Sequence, residues 1–267
     1  TKRVLYASGT SSYGSRGNLQ TTNITYGRHH IRRTKSINTE LIEMKQQFIV
    51  NENRPGLLLF FAGWGCDENL FAERVPSGYD YMLCYDYSSM DFDFSVLANY
   101  QSIRLMAWSM GVWVAAKTFL DKPFNWEMKM AINGTLSPKD DCNGIPKVIF
   151  EGTLNQFSAN TLSRFRKRMC ASSQQAELYS SRTADRSIES LKEELTTLNR
   201  EIDRSAEEKL SFTWDKIIIG RQDLIFPFKN QMNAWAGHNF ELREMPHYDA
   251  SFFTLCIQGE DSLWTRH

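Results

Sequence analysis

The sequence has little that would tie it to a membrane, a disulfide framework or a metal. Its apolar runs are short, and residues 57–61 fall far below the ~20 residues of a membrane span, so no membrane contact is expected. Its five cysteines are odd in number, widely spaced and without a C-x-x-C pair, which argues against both a disulfide framework and a zinc site. We therefore expect reduced thiols, no bound metal and a cytoplasmic location.

The chain also lacks net charge, with 31 basic and 31 acidic side chains. Residues 1–43 carry seven of the basic ones against two acidic ones, so the remainder is mildly acidic. This segment is rich in Ser, Thr, Gly, Asn and Arg and has no sustained apolar period, which predicts a loosely ordered basic extension. Because this segment lacks clustered aromatic residues and a folded nucleic-acid-binding motif, we expect no nucleic-acid binding.

From Met44 onward the pattern predicts one domain, residues 44–267, of the α/β class. Met44 directly precedes the first strand-like stretch, which favours it as the true start and residues 1–43 as a dispensable extension. With 42% hydrophobic residues, the chain can bury one substantial core, and we expect a monomer. Strands alternate with helical stretches, as in a mainly parallel sheet. The predicted strands cover residues 46–50, 57–62, 79–85, 103–107, 128–133, 216–219 and 240–244.

Between residues 138 and 212 the strand pattern gives way to helical periodicity. Apolar side chains recur every three or four positions, which predicts one face of a helix of about four turns. They are Ile188, Leu191, Leu195, Leu198 and Ile202. A second helix is predicted near residues 160–170. We interpret 138–212 as a small helical cap, inserted before the last two strands and covering the carboxyl edge of the sheet; alternatively, these helices only cover the core.

The segment 107–111, Ala-Trp-Ser-Met-Gly, lies where a predicted strand ends and an apolar helix begins. A serine on such a turn presents its hydroxyl above the sheet edge, and the N-terminus of the helix favours developing negative charge. Ser109 is therefore a candidate nucleophile. Ala107 replaces the first glycine of G-x-S-x-G but is also small. A plain structural turn is the alternative for so short a motif.

A serine nucleophile needs a base and an orienting carboxylate, and α/β-hydrolases carry them in the order Ser, Asp or Glu, His. Asp223 follows the predicted strand 216–219, on the loop where the acid belongs. Of only five histidines, His247 follows the last predicted strand, where the base belongs. Asp249 is an alternative acid, but its closeness to His247 in sequence makes it hard for its carboxylate to reach the far ring nitrogen.

An oxyanion hole in this fold uses two backbone N–H groups. One belongs to the residue after the nucleophile, and the other belongs to the loop that follows an earlier strand. These positions are Met110 and Trp64, and the glycines around Trp64 permit the unusual dihedrals that a donor loop needs. The same glycines could merely end the strand. Trp64, Trp108 and Trp113 could line an apolar substrate channel, although Trp113 on the helix is more typical of a core residue.

Several short motifs occur in an order that resembles one family, the BioG-type pimeloyl-acyl-carrier-protein methyl ester esterases of bacterial biotin synthesis. The resemblance runs from residue 57 to the C-terminus. Its motifs are 61–65 (Phe-Ala-Gly-Trp-Gly), 84–87 (Cys-Tyr-Asp-Tyr), 107–111, 133–135 (Asn-Gly-Thr), 144–146 (Gly-Ile-Pro), 223–227 (Asp-Leu-Ile-Phe-Pro) and 247–248 (His-Tyr).

The resemblance implies the α/β-hydrolase fold and a serine esterase without a cofactor. Ser109 would attack the methyl ester of pimeloyl-acyl carrier protein, His247 would act as base and then acid, and Asp223 would orient it. Another acyl hydrolase, such as a thioesterase, would use the same residues. A hydrolase-fold binding protein whose chemistry has lapsed is a further alternative, which the intact triad argues against.

The resemblance also implies an acidic partner, the acyl carrier protein. Arg164, Lys167 and Arg168 fall on one face of the predicted helix 160–170 by their spacing. We expect this face to contact the carrier near the pocket mouth, with Trp108 contributing to the substrate site. A solvated charged face is the alternative.

Overall fold

The computed structural model describes residues 44–265 except 171, 184 and 209. The predicted basic extension, residues 1–43, lies outside the described residues. Within the described part the α/β class predicted from the sequence is confirmed, because helices pack on a seven-stranded sheet.

The sheet is parallel except at one edge. Its strands are β1 Lys45–Val50, β2 Gly56–Phe61, β3 Tyr79–Tyr85, β4 Ser102–Trp108, β5 Trp126–Ile132, β6 Lys216–Gly220 and β7 Glu241–Arg243. Their spatial order is β1-β3-β2-β4-β5-β6-β7, with β1 antiparallel to β3 and the other neighbours parallel. Each lies within about two residues of its predicted bounds. For the inner strands the reason is that buried parallel strands form short and distinct apolar runs.

Seven α-helices occur in the described residues. They are α1 Met110–Phe119, α2 Lys147–Asn155, α3 Ala159–Cys170, α4 Ser173–Arg182, α5 Ile188–Arg204, α6 Phe228–Ala234 and α7 Ala250–Gln258. Neighbouring residues of β2 point to opposite faces of the sheet. The Phe60 ring contacts Phe253 of α7 and the Phe61 ring contacts Phe119 of α1, so α1 and α7 cover opposite faces. No helix of this described part combines the length and apolar character needed to cross a membrane.

Helices α2 to α5 occupy the chain between β5 and β6. The apolar stripe predicted for α5 is buried at Leu191, Leu195, Leu198 and Ile202. The Trp64 ring, just beyond the carboxyl end of β2, contacts Phe165 of α3 with 5.1 Å between ring centroids. These inserted helices therefore meet the carboxyl edge of the sheet, where a cap was expected.

Candidate active site

Ser109 lies in the turn between β4 and α1, with φ 59° and ψ −127°. A non-glycine residue seldom adopts a positive φ, and such strain is typical of a nucleophile elbow. The turn is crowded: a Cβ on Gly111 would lie 2.2 Å from the Phe61 carbonyl oxygen, and one on Gly134 would lie 2.4 Å from the Ser109 carbonyl oxygen. Ala107 is fully buried opposite Phe61, so alanine fits at the first position of the motif.

The structure brings Ser109, His247 and Asp223 into one hydrogen-bonded chain. His247 Nε2 lies 2.9 Å from Ser109 Oγ, and His247 Nδ1 lies 2.8 Å from Asp223 Oδ2. All three are buried, with exposed fractions of 5%, 1% and 4% in the order Ser109, His247, Asp223. With Nδ1–H donating to the carboxylate, Nε2 is free to accept the serine proton, which is the arrangement that general-base catalysis needs.

The Asp223 carboxylate is held by groups of its own loop and of α6. Its Oδ1 accepts hydrogen bonds from the backbone N–H groups of Ile225 at 2.8 Å and Phe226 at 2.9 Å. Its Oδ2 accepts a third bond from Gln231 Nε2 at 2.9 Å, besides the contact with His247. Gln231 was not predicted, because nothing in its local sequence marks a residue that acts across a turn.

Asp249, the alternative acid, belongs to the start of α7. Its Oδ1 accepts hydrogen bonds from the Phe252 backbone N–H at 3.0 Å and from Ser251 Oγ at 2.5 Å. This is an N-cap, which satisfies an otherwise unpaired helix donor. The carboxylate at His247 Nδ1 is that of Asp223.

The loop that carries His247 is fixed to the sheet by Asn133 and Trp108. Asn133 Nδ2 donates to the carbonyls of Pro246 and His247, both at 3.0 Å, and its Oδ1 accepts from the Gly220 N–H at 2.6 Å. Trp108 Nε1 donates to the same His247 carbonyl at 2.9 Å. The Asn-Gly-Thr motif thus joins the ends of β5 and β6 to the histidine loop, a function that its sequence alone did not reveal.

Trp64 and Met110, the predicted oxyanion donors, both line the cleft that contains Ser109. The loop before Trp64 passes directly beside the serine, since a Cβ on Gly63 would lie 3.0 Å from Ser109 Cβ. Met110 is the first residue of α1, where backbone N–H groups lack helical partners. Trp113 is buried on α1 and is absent from the residues that line this cleft.

The cleft has a volume of about 540 Å³, open mouth included. Its wall is mostly apolar and combines the sheet edge with the inserted helices. The apolar lining residues are Trp64, Trp108, Met110, Ile145, Ile149, Phe150, Phe165, Met169, Leu195, Leu224 and Ile225. Ile149 and Leu224 are 44% and 60% exposed and mark the mouth. Among the described residues, no group of three or more His, Cys, Asp or Glu is placed to hold a metal ion.

The three basic residues predicted on α3 are all exposed, on the side away from buried Leu162 and Met169. Of the three, Arg168 lines the cleft. On the same helix Arg164 lies one turn before Arg168, and Lys167 lies one residue before it. The basic face therefore borders the cleft at Arg168.

Similar folds among solved structures define the class of the protein. An esterase from Exiguobacterium antarcticum matches with a TM-score of 0.55 at 17% identity, over 76% of this chain and 88% of that chain. The mainly parallel sheet with inserted helices is consistent with that fold. The protein has the α/β-hydrolase fold, as the sequence predicted.

The family can be stated more narrowly. The chain belongs to the pimeloyl-ACP methyl esterase BioG family, whose model matches residues 44–256. The crystal structure of BioG from Haemophilus influenzae matches with a TM-score of 0.75 at 34% identity, over 83% of this chain and 100% of that chain. The family resemblance noted in the sequence motifs is thereby confirmed.

A curated relative is a malonyl-[acyl-carrier protein] O-methyltransferase from Bacteroides fragilis. It is 44% identical over 198 residues, which are 73% of this chain. The chain spans only 40% of the length of that relative. A second relative, an uncharacterized protein from Haemophilus influenzae, is 37% identical over 67% of this chain and 82% of its own length.

Proposed function

We propose that this protein is a serine carboxylesterase that hydrolyses the methyl ester of pimeloyl-acyl carrier protein, releasing methanol and pimeloyl-acyl carrier protein. The observation that carries the proposal is the buried chain Ser109–His247–Asp223 at an apolar cleft in a member of the BioG family. The family description supplies the substrate, and the hydrogen-bonded chain supplies the chemistry.

In the first half-reaction His247 Nε2 takes the proton of Ser109 as Oγ attacks the ester carbonyl carbon. The carbonyl oxygen becomes an oxyanion, which the backbone N–H groups of Met110 and Trp64 stabilise. When the intermediate collapses, the bond to the methoxy group breaks and His247 protonates the departing oxygen, so methanol leaves. Asp223 stays ionised and stabilises the charged imidazole.

In the second half-reaction water attacks the acyl-enzyme. His247 accepts a proton from the water as its oxygen bonds to the acyl carbon, and a second oxyanion forms in the same place. The bond to Ser109 Oγ then breaks and His247 returns the proton to the serine. The products are the free carboxyl group of the pimeloyl chain and the original enzyme, which needs no diffusible cofactor.

The shape and charge of the cleft support a carrier-bound acyl chain. An apolar wall suits methylene groups and a neutral methyl ester, and the exposed Ile149 and Leu224 leave the mouth open for a pantetheine arm. Acyl carrier proteins are acidic, and Arg164, Lys167 and Arg168 offer them a basic face beside this mouth. We place carrier docking on α3, where charge complementarity would mainly speed encounter.

The Bacteroides fragilis relative is named for methyl transfer to a malonyl group on the acyl carrier protein. That name and the function proposed for this chain share the acyl carrier protein but differ in the reaction. A serine, histidine and aspartate joined as they are here support acyl transfer to water rather than methyl transfer. Methyl transfer is therefore not proposed for this chain.

Methanol release tests the proposal. Wild-type protein incubated with methyl-pimeloyl carrier protein should release one methanol per carrier, and Ser109→Ala should release none above background. Ser181→Ala is the matched control, because Ser181 is an exposed serine on α4 that bonds only within its own turn in the described hydrogen bonds. No methanol from the wild-type protein would refute the proposed reaction.

Labelling by a fluorophosphonate separates an active enzyme from a lapsed one. The phosphonyl group should attach to Ser109 in a one-to-one ratio, since only a serine next to an unprotonated base is nucleophilic enough at neutral pH. Absence of label on a folded protein would favour the binding-protein alternative.

A further inference from the structure

One buried carboxylate is unexpected in an otherwise apolar stripe. Glu194 lies on the inward face of α5, between Leu191 and Leu198, and has no exposed surface. A carboxylate is costly to bury unless charged or N–H groups compensate it, so its partners indicate what it does.

The partners of Glu194 are in the two loops that follow β2 and β3 and in the segment between α4 and α5. Its Oε2 accepts hydrogen bonds from the Gly65 backbone N–H at 3.3 Å and from Arg186 Nη1 at 2.7 Å. Its Oε1 accepts from the Tyr87 backbone N–H at 3.2 Å. Arg186 in turn pairs with Asp86 at 2.8 Å, so the charge of the guanidinium is shared between two carboxylates.

This network, together with the Leu191 carbonyl, holds the loop of residues 62–66 at four points. The Tyr87 hydroxyl donates to the Ala62 carbonyl at 2.6 Å, and Trp64 Nε1 donates to the Leu191 carbonyl of α5 at 2.9 Å. Glu194 holds the Gly65 N–H, and Arg186 Nη1 donates to the Cys66 carbonyl at 3.3 Å. The Trp64 N–H, a predicted oxyanion donor, is in the middle of this restrained stretch.

We infer that Glu194 is a positioning residue, which orients the oxyanion donor Trp64 through the Gly65 amide while Arg186 and Tyr87 brace the same loop. This inference rests on the proposed function. It makes the inserted helix α5, and not the sheet alone, responsible for the geometry of the oxyanion hole. It also explains why the family motif Cys-Tyr-Asp-Tyr is present at residues 84–87, since its last two residues complete the network.

Glu194→Gln tests the inference because it keeps the size and one acceptor but removes the charge that binds both loops. Glu193→Gln is the matched control, since Glu193 is the exposed neighbour on the same helix. The assay uses p-nitrophenyl butyrate, which needs no carrier. A trifluoromethyl ketone, whose adduct with Ser109 carries an oxyanion, measures binding of a transition-state mimic.

For Glu194→Gln we expect kcat and ketone affinity to fall together, each about 10- to 100-fold, because one misplaced oxyanion donor weakens only the tetrahedral state. KM should change less than about threefold, and Glu193→Gln should behave as wild type. Wild-type kcat and ketone affinity in Glu194→Gln would overturn the inference, as would a rise in KM alone.

A second variant decides the matter if Glu194→Gln does not fold. Tyr87→Phe removes the hydroxyl that donates to the carbonyls of Ala62 and Cys84 and keeps the ring. A parallel loss of kcat and ketone affinity in folded Tyr87→Phe supports the inference, and wild-type values overturn it. Failure of the proposed function looks different. A lapsed enzyme would, as wild-type protein, neither hydrolyse p-nitrophenyl butyrate nor bind the ketone, and a thioesterase would do both but would strip methyl-pimeloyl carrier protein to its free thiol.

Discussion

At the scale of single residues, the site depends on how firmly His247 is held. Both its ring nitrogens have partners, the Phe226 ring stacks on it with 5.9 Å between centroids, and its carbonyl accepts two hydrogen bonds from Asn133 and Trp108. Because His247 is already held in position, little free energy is needed to orient it during the reaction.

The acid assignment gives a residue-scale prediction. Asp223→Asn should reduce kcat by about 10³- to 10⁴-fold, by comparison with the orienting acid of serine proteases, because the histidine loses its preferred tautomer. Ser109→Ala and His247→Ala should abolish turnover. Steady-state kinetics on p-nitrophenyl butyrate measures these losses.

Asp249→Asn is the control for that series. It should keep kcat near the wild-type value, because asparagine also caps a helix. The acid assignment is wrong if Asp249→Asn loses activity while Asp223→Asn retains it.

At the scale of elements, two glycines in helices predict opposite effects on stability. In α1 a Cβ on Gly111 would lie 2.2 Å from a backbone oxygen, whereas in α2 a Cβ on Gly152 meets nothing within 4 Å. Gly111→Ala should therefore destabilise the fold by more than about 3 kcal/mol, as overpacked backbone contacts do. Gly152→Ala should stabilise it by about 0.5–1 kcal/mol.

Urea unfolding measured by circular dichroism gives both free energies. A neutral result for Gly111→Ala would mean that the turn around Ser109 is looser than described.

The basic face of α3 gives a second element-scale prediction. Changing Arg164, Lys167 and Arg168 to glutamate should strongly reduce kcat/KM for carrier-bound substrate at low salt and leave p-nitrophenyl butyrate hydrolysis nearly unchanged. The matched control reverses three exposed basic residues of α5 that do not line the cleft, Lys192, Arg200 and Arg204.

Equal losses on both substrates would indicate damage to the site rather than to docking. Unchanged kinetics on both would place the carrier elsewhere.

Elements differ in how much of them the sequence predicts. The strands, α3 and the stripe of α5 follow from apolar periodicity, which acts within a short window. Helices α2, α4, α6 and α7 were not predicted, because each has at most ten residues, too few for a periodic pattern to stand out. Helix α1 is equally short, but it was predicted from the turn at Ser109 that precedes it. The antiparallel direction of β1 is likewise not encoded in its own six residues.

The residues of the candidate site also differ in how far the sequence predicts them. Ser109, Asp223 and His247 could be found because each follows a recognisable strand. The roles of Gln231, Asn133 and Glu194 could not be found, although Asn133 belongs to a family motif, because their partners lie 8 to 129 residues away in sequence and only the folded chain brings them together.

At the scale of the whole molecule, the cleft is built jointly by the sheet and the inserted helices. Trp108, Ser109 and Ile225 come from the sheet edge, whereas Phe165 and Leu195 come from the insertion. Loss of the insertion would therefore open the apolar wall and release the loop of residues 62–66.

The packing of the whole molecule also predicts thiol reactivity. Cys142 is exposed, while the other four cysteines are buried. Burial raises the pKa of Cys66, Cys170 and Cys256 to about 12 and raises the pKa of Cys84 well above its usual value, so at pH 8 these thiols carry almost no thiolate. Ellman's reagent should titrate one thiol rapidly in native protein and five after unfolding, and more than one rapid thiol would contradict the described packing.

The central claim is that Ser109 attacks the carbonyl carbon of the methyl ester and not that of the thioester at the other end of the acyl chain. Intact-mass spectrometry of the carrier after incubation with methyl-pimeloyl carrier protein tests this most directly, with Ser109→Ala as the blank. We predict a carrier that has exchanged its methyl ester for a carboxyl group and still bears the pimeloyl chain on its thioester. A carrier stripped to its free thiol would contradict the account and identify the protein as a thioesterase.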